Sequence, residues 1–448
     1  MKLKTLSLFT LVLLQSFNGL AKVSQDQANQ LGVELTPMGA EMEGNEEGSI
    51  PAYSGGLHQD SSLDQLKDIY QNEKPLFVIT AKNYSQYQDK LSEGQKALFE
   101  RFPDTYTMPV YQTHRSASVP LTIHQKVKKN STKTQLVDGG NGLQDFDEAV
   151  PFAIPKTGLE VIWNHVSRYR GGSLELNSAQ ISVQENGDFQ TIKTRSKSVT
   201  PYHLKGGYDQ KRDDNVLFYF MQYIKSPARF TGNVLLIHET IDQVSQPRKA
   251  WSYNAGQRRV RRAPQVAYDA PGNASSGLRT ADQLDMYNGA PDRYDWKLVA
   301  KKEVFIPYNA YKLADKNVKY KDIVAAGHIN QDYTRYELHR VWQVEATLKS
   351  GARHIYAKRT FYVDEDSWQI ALADHYDSRG ELWRVSECHG MQFVNANTFL
   401  YASNTSYDLL SGRYMVELRN EEKNPFNFNK QMKRKEFTSS SLRRQGKR

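Results

Sequence analysis

The chain has 448 residues, with 59 Lys plus Arg against 50 Asp plus Glu, 39% hydrophobic and 24% charged residues, and one cysteine. This is a globular composition, neither disordered nor fibrous. With a mean hydropathy of −0.69 and no second long apolar run after the first twenty residues, a polytopic membrane protein is excluded. The single Cys388 excludes an intramolecular disulfide framework, a thiolate zinc site and a cysteine-ligated iron–sulfur cluster.

The first residues, MKLKTLSLFTLVLLQSFNGLAKV, place Lys2 and Lys4 before an apolar run from Leu6 to Leu14 and reach Gly19-Leu20-Ala21. These are the parts of a secretory signal peptide, residues 1–21, cleaved after Ala21. The run is shorter than the ~20 residues of a spanning helix, and Lys22 stands where a lipidated cysteine would be needed. A periplasmic product without a lipid anchor is therefore expected.

Residues 22–60, rich in Gly, Pro and Ser, predict an extended N-terminal arm. Residues 61–172 predict a helix-containing region packing on a sheet. Within it, Ser92 and Gln95 form a capping-box pattern ahead of Leu98 and Phe99, and Thr157 and Glu160 form another ahead of Ile162, Trp163 and Val166. Gly171-Gly172 then stops the second helix. Val216 to Ile224 is ambiguous between helix and buried strand, because a short continuous apolar run carries no period.

From 173 to 420 the pattern is strand-rich. Asn186-Gly187, between QISVQE and DFQTIKT, is a strong hairpin signal. Trp342, Val344, Ala346 and Leu348 alternate with Gln343, Glu345 and Thr347, as a sheet with one apolar face requires. Residues 421–448 form a basic polar tail, expected to be disordered or surface-tracking. From Lys433 it carries seven Lys or Arg against Glu436, so the body is near neutral and nucleic-acid binding is not expected. Anionic headgroups or an acidic partner are the alternative for the tail. The expected fold is mainly β (α+β), one compact unit over 22–448. It is a large curled antiparallel sheet, an incomplete barrel, with helices plugging or flanking the concave face.

The sequence has no GxSxG elbow, Walker loop or HExxH, and Gly139 to Gly142 reads as a loop. His375 reads as a structural histidine and Asp364-Glu365-Asp366 as a hairpin turn, so no metal site, cofactor or catalytic residue is assigned. One enzymatic alternative rests on His354, Tyr356 and Lys358, which would share a strand face and carry groups able to neutralise a uronate and move a proton. Arg258, Arg259, Arg261 and Arg262 form the densest basic cluster of the body. They fit a protected edge strand, or a strip for a partner or a phosphate headgroup. The tryptophans, read together, could wall an apolar pocket.

Several long blocks, among them IPKTGLEVIWNHVSRYRGG, WSYNAGQRRVRRAP, RYELHRVWQVEATL and RHIYAKRTFYVDEDSWQIALADHYDSRGELWR, resemble the bacterial family called domain of unknown function 1329. That family is similar to the lipoprotein-sorting proteins LolA and LolB, incomplete barrels whose helices plug a cavity for acyl chains. The resemblance implies a periplasmic carrier for a lipophilic cargo, encoded beside an inner-membrane exporter of the resistance-nodulation-division type and an outer-membrane barrel protein. It brings no agreed catalytic residues. A polysaccharide- or ester-acting enzyme and an outer-membrane assembly scaffold are the rival functions. The expected cavity wall is Trp163, Trp251, Trp342, Val344, Phe361, Trp368, Ile370 and Leu372. Burial is worth ~0.8 kcal/mol per methylene, so a chain of ~15 carbons gives roughly 12 kcal/mol before ordering costs. Micromolar binding requires only ~8 kcal/mol.

Overall fold

The computed structural model describes residues 23–58, 66–263, 268–428 and 430–446. The expected signal peptide and its cleavage position lie outside the described residues. In chain order the strands are β1 (Phe77–Thr80), β2 (Thr107–Val110), β3 (Gln135–Val137), β4 (Gly142–Gln144), β5 (Ser173–Val183), β6 (Phe189–Val199), β7 (Val216–Ser226), β8 (Val234–Thr240) and β9 (Lys249–Asn254). They continue with β10 (Arg259–Arg262), β11 (Tyr294–Pro307), β12 (Tyr336–Leu348), β13 (Lys358–Asp364), β14 (Ile370–Tyr376), β15 (Leu382–Phe393), β16 (Thr398–Asp408), β17 (Tyr414–Leu418) and β18 (Phe426–Asn427). The α-helices are α1 (Gln25–Asn29), α2 (Glu93–Arg101), α3 (Leu121–Lys133), α4 (Gly158–Ser167), α5 (Gln210–Asp213), α6 (Tyr311–Ala314), α7 (Tyr320–Ile323) and α8 (Ser439–Gln445).

Sixteen strands share one curled sheet that does not close. Its order is β1-β2-β12-β13-β14-β15-β16-β17-β5-β6-β7-β8-β9-β10, with β11 beside β12 and β18 beside β5. A parallel contact, Tyr336 with Val110, joins β12 to β2. Local signals account for much of this. Both capping boxes form, Ser92 with Gln95 on α2 and Thr157 with Glu160 on α4. Gly187 turns with φ near +90°, open to glycine without a Cβ penalty, and β5 and β6 then pair along all eleven residues. The ambiguous run at Val216 is strand β7.

Each face of the sheet is covered by the chain itself. On one, α2 packs on β14 and β15 and α6 on β16, over a core that includes Phe99, Ile181, Val385, Met391 and Val416. On the other, α4 packs on β11 and β12. The N-terminal arm docks between them: Leu31 and Met38 join the α4-side core and Ile50 the α2-side core. The basic tail is ordered through residue 446. Phe437 and Leu442 are buried against Tyr219, Leu236 and Tyr253, and Lys197 binds Glu436 at 2.8 Å. Its apolar residues, few but spaced to meet the sheet, anchor a segment whose charge alone suggested solvent.

Candidate functional site

Successive strand residues point to opposite faces, so the register sorts the expected wall. Val344, Phe361, Trp368 and Ile370 lie on the α4 face in one core cluster with Trp163 of α4, and Trp342 packs half-buried against it. The Trp368 indole N–H donates to the Met38 carbonyl at 2.8 Å, and its ring stacks on Trp342 with centroids 6.2 Å apart. The other two are elsewhere. Leu372 pairs across from Tyr362 and belongs to the opposite face with Val304, Ile306 and Val341. Trp251 packs beside Tyr253 under the C-terminal segment, against His238. Of the six that meet, five are buried and Trp342 is half-buried, and all pack in the cluster that α4 completes.

Beyond β14 the α4 face changes character. Following the register, it presents Arg384 opposite Asp408, Ser386 opposite Ser406 and Cys388 opposite Asn404. It continues with Glu417 opposite Gln180 and Ser196 opposite Gln222. Residues 268–293, here called the strap, cross this polar surface and are held by polar pairs. Ser182 donates to Ser276 at 2.9 Å, and Gln283 lies 3.0 Å from His375. Arg359 binds Asp282 at 2.7 Å. Asp285 accepts from Arg168 at 2.8 Å and from Arg170 at 2.7 Å. Burial would raise the Asp285 carboxyl, but the two guanidiniums outweigh it and hold it well below the usual carboxylate range. Asp285 and Met286 both adopt positive φ, 51° and 69°, a conformation that costs a non-glycine residue energy and persists only when neighbours enforce it.

Between strap and sheet lies an apolar cleft of about 80 Å³. Its walls are Leu174 and Leu176 of β5, Phe218 and Phe220 of β7, Leu400 and Tyr401 of β16, and Leu284 of the strap, with Ser196, Ser198 and Thr200 along one side. Arg168, Arg170, Asp285 and Asn288 bring polar groups to it. Arg168, Asn288 and Leu400 are buried, as are Leu174 and Leu176, whereas Arg170, Phe218, Phe220 and Leu284 are half-buried, so Arg168 and Asn288 lie in the inner part of the cleft. None of the eight expected wall residues borders this cleft. The residues that do border it carried no distinguishing signal beyond the apolar alternation of β5 and β7.

The other sequence candidates sit apart. His354 and Tyr356 precede β13 instead of lying on a strand face with Lys358. The His354 side chain and Tyr356 are fully buried, and His354 is 3.1 Å from Asp282, inside an ion cluster with Arg359. Asp364, Glu365 and Asp366 do form the β13–β14 turn, but a buried one. With His339, Asp364 and Asp366 have the spacing of a metal site, yet Arg115 already binds Asp366 through Nε at 2.9 Å and Nη2 at 2.7 Å. Lys301 and Arg340 hold Glu365. Arg259, Arg261 and Arg262 are exposed on β10, the terminal strand of the sheet, with Arg258 at its turn.

Fold and site together define an open, curled sheet, an incomplete barrel sealed on each face by its own chain, with an apolar cleft under the strap. The chain belongs to the family described as "Protein of unknown function (DUF1329)", whose model matches residues 78–443. It is 57% identical over 432 residues to the uncharacterized protein PA3922 of Pseudomonas aeruginosa, covering 95% of each. Among solved structures it is similar to a putative outer membrane lipoprotein-sorting protein domain from Vibrio parahaemolyticus (TM-score 0.44, 14% identity, 64% of this chain and 98% of that one). It is also similar to a DUF1329 family protein from Desulfovibrio piger (TM-score 0.42, 14% identity, 60% and 91%) and to LolA superfamily protein NE2245 from Nitrosomonas europaea (TM-score 0.38, 13% identity, 63% and 98%). At these values the structural likenesses carry no argument about function. Among the described residues no helix is long and apolar enough to cross a membrane.

Proposed function

We propose that this protein is an exported, periplasmic carrier, not an enzyme, that binds a lipophilic cargo (a lipid, an acyl chain or a lipoprotein-like molecule) and relays it between the inner and outer membranes. The observation that carries this reading is the apolar cleft between β5, β7, β16 and the strap. At about 80 Å³ the cleft is smaller than the ~300–1,000 Å³ of ordinary ligand pockets. Loading therefore requires the strap to lift. The polar pairs of the strap suit that motion, because water can replace those partners when it opens, while Met286 and Tyr287 stay packed in the α4-side core. The buried and mutually paired His354, Asp282 and Arg359 give the enzymatic alternative little room for substrate.

The decisive experiment purifies the protein from its native periplasm, extracts it with organic solvent and identifies what comes off by mass spectrometry. A stoichiometric alkyl-chain compound is expected. An empty extract, together with unchanged uptake of a fluorescent fatty acid by the Phe218→Asp, Phe220→Asp double variant, overturns the proposal. The partners proposed with it are a resistance-nodulation-division-type transporter and an outer-membrane barrel protein. The exposed arginines of β10 are the surface offered to them, and substituting all four with Ser should abolish co-purification of such a partner.

A further inference from the structure

The charge balance at the inner end of the cleft says more about the cargo. Arg168 and Arg170 share the single carboxylate of Asp285. Tyr401, which lines the cleft, has the Arg419 guanidinium 4.9 Å from its ring centroid, and Arg419 binds Glu417 at 2.9 Å. Arg279 of the strap is buried beside the same Glu417 and Tyr401, and its Nε has no hydrogen-bond partner. Four guanidiniums thus face two carboxylates. The nearby Glu239, which accepts from Asn288 at 2.8 Å, is neutralised by Arg248 at 2.9 Å.

The unsatisfied polar atoms gather at this same end. Arg168 Nε, like that of Arg279, is buried with no acceptor. Buried donors are almost always paired, and each orphan calls for a specific explanation. A buried cation without a counter-ion is the most costly kind. An anion brought by a ligand would satisfy both the donors and the charge.

We propose that the cleft takes an amphiphile with an anionic head, its negative charge held by Arg168 and Arg170 of the lining and favoured by the positive field of Arg279 and Arg419 beside Tyr401, with its alkyl part lying along Leu174, Leu176, Phe218 and Phe220. This rests on the carrier reading above and narrows the cargo class. The head is a carboxylate or a phosphomonoester, since planar guanidinium forks suit both.

The test is competition for the full secreted chain against a neutral fluorescent alkyl probe, using hexadecanoate, hexadecyl phosphate, hexadecanol and hexadecyltrimethylammonium. The two anions should bind roughly ten-fold or more tighter than the alcohol, and the ammonium most weakly, as charge-assisted bonding to fixed arginines requires. Whichever anion binds more tightly identifies the head. Arg279→Gln should erase most of the advantage of the anions while leaving alcohol affinity within about two-fold. Equal binding of acid and alcohol, in the unsubstituted protein alone, overturns the anionic head and leaves the carrier intact. Failure of all four ligands to compete, with no probe bound, overturns the carrier reading itself.

Discussion

The α4 face of the sheet is two surfaces joined at β14 and β15. One half, from β11 to β14, is apolar and filled by α4, with Trp163, Phe361 and Trp368 buried in a common core. The other, from β15 through β17 to β7, is largely polar and covered by a strap held there by hydrogen bonds and ion pairs, with Met286 and Tyr287 of the strap packed into the α4-side core. The cleft lies under the polar cover, not beside the aromatic cluster. Apolar density here marks where the chain packs on itself, and the strap over the cleft is joined to the sheet by groups that water can replace.

The largest expected effect belongs to the filled half. Trp368→Ala removes a fully buried indole and its bond to Met38, and aromatic-to-alanine changes in cores cost ~3–5 kcal/mol. Urea denaturation should show that loss, with affinity of the folded fraction for alkyl ligands unchanged. A loss below ~1 kcal/mol would mean the aromatic cluster is as loosely packed as the cleft.

Next comes the anchor of the strap. Asp285→Asn leaves the buried Arg168 and the half-buried Arg170 without their carboxylate, and breaking such a pair from one side costs ~3–5 kcal/mol, less here because of the exposure of Arg170. The sign with pH follows from the depressed carboxyl. Its contribution is complete above ~4, the unfolded value, and is lost as pH falls through the folded value. Hydrogen exchange between pH 5 and 2 should then release residues 268–290 before α4 and β12. Simultaneous release of both halves would show that the strap is not a separate cooperative unit.

A third contrast lies across the thickness of β15. Arg384 faces the strap, whereas Glu387, buried on the α2 face, accepts from the Tyr336 hydroxyl at 3.1 and 3.2 Å. Burial, opposed by that hydrogen bond, raises its carboxyl to about 8. The folded state thus keeps a proton that the unfolded chain releases near ~4.3, so this residue lowers stability as pH rises between those values, by at most ~1.4 kcal/mol per pH unit. Glu387→Gln should flatten the profile over that window; parallel profiles would place the carboxylate in contact with water.

The legible parts of the molecule were those with local causes. Two capping boxes, the Asn186-Gly187 turn and the alternation of β12 each act within a few residues, and each is found in the fold. The helix α3 carries no side-chain cap at Pro120 and went unread. The strap was illegible for a different reason: it has no period, and its partners lie far off in sequence, His375 for Gln283 and Arg168 for Asp285. None of the expected wall residues borders the cleft, and a tryptophan facing its own helix and one facing a guest look identical in sequence. Only register and α4 decide between them.

The smallest expected effect is the most diagnostic. Phe220 of β7 is half-buried and lines the cleft, so part of its ring already lacks packed neighbours and has little left to lose. Phe220→Ala should cost only ~1 kcal/mol, well under the ~3–5 kcal/mol of a filled core site, because the cavity it would create is partly there already. The same change widens the apolar wall, so longer or branched alkyl ligands should gain affinity relative to hexadecanoate. A core-sized stability loss at Phe220 would mean that the strap-side half is packed as tightly as the α4 side. The two halves would then differ in polarity but not in capacity for a guest.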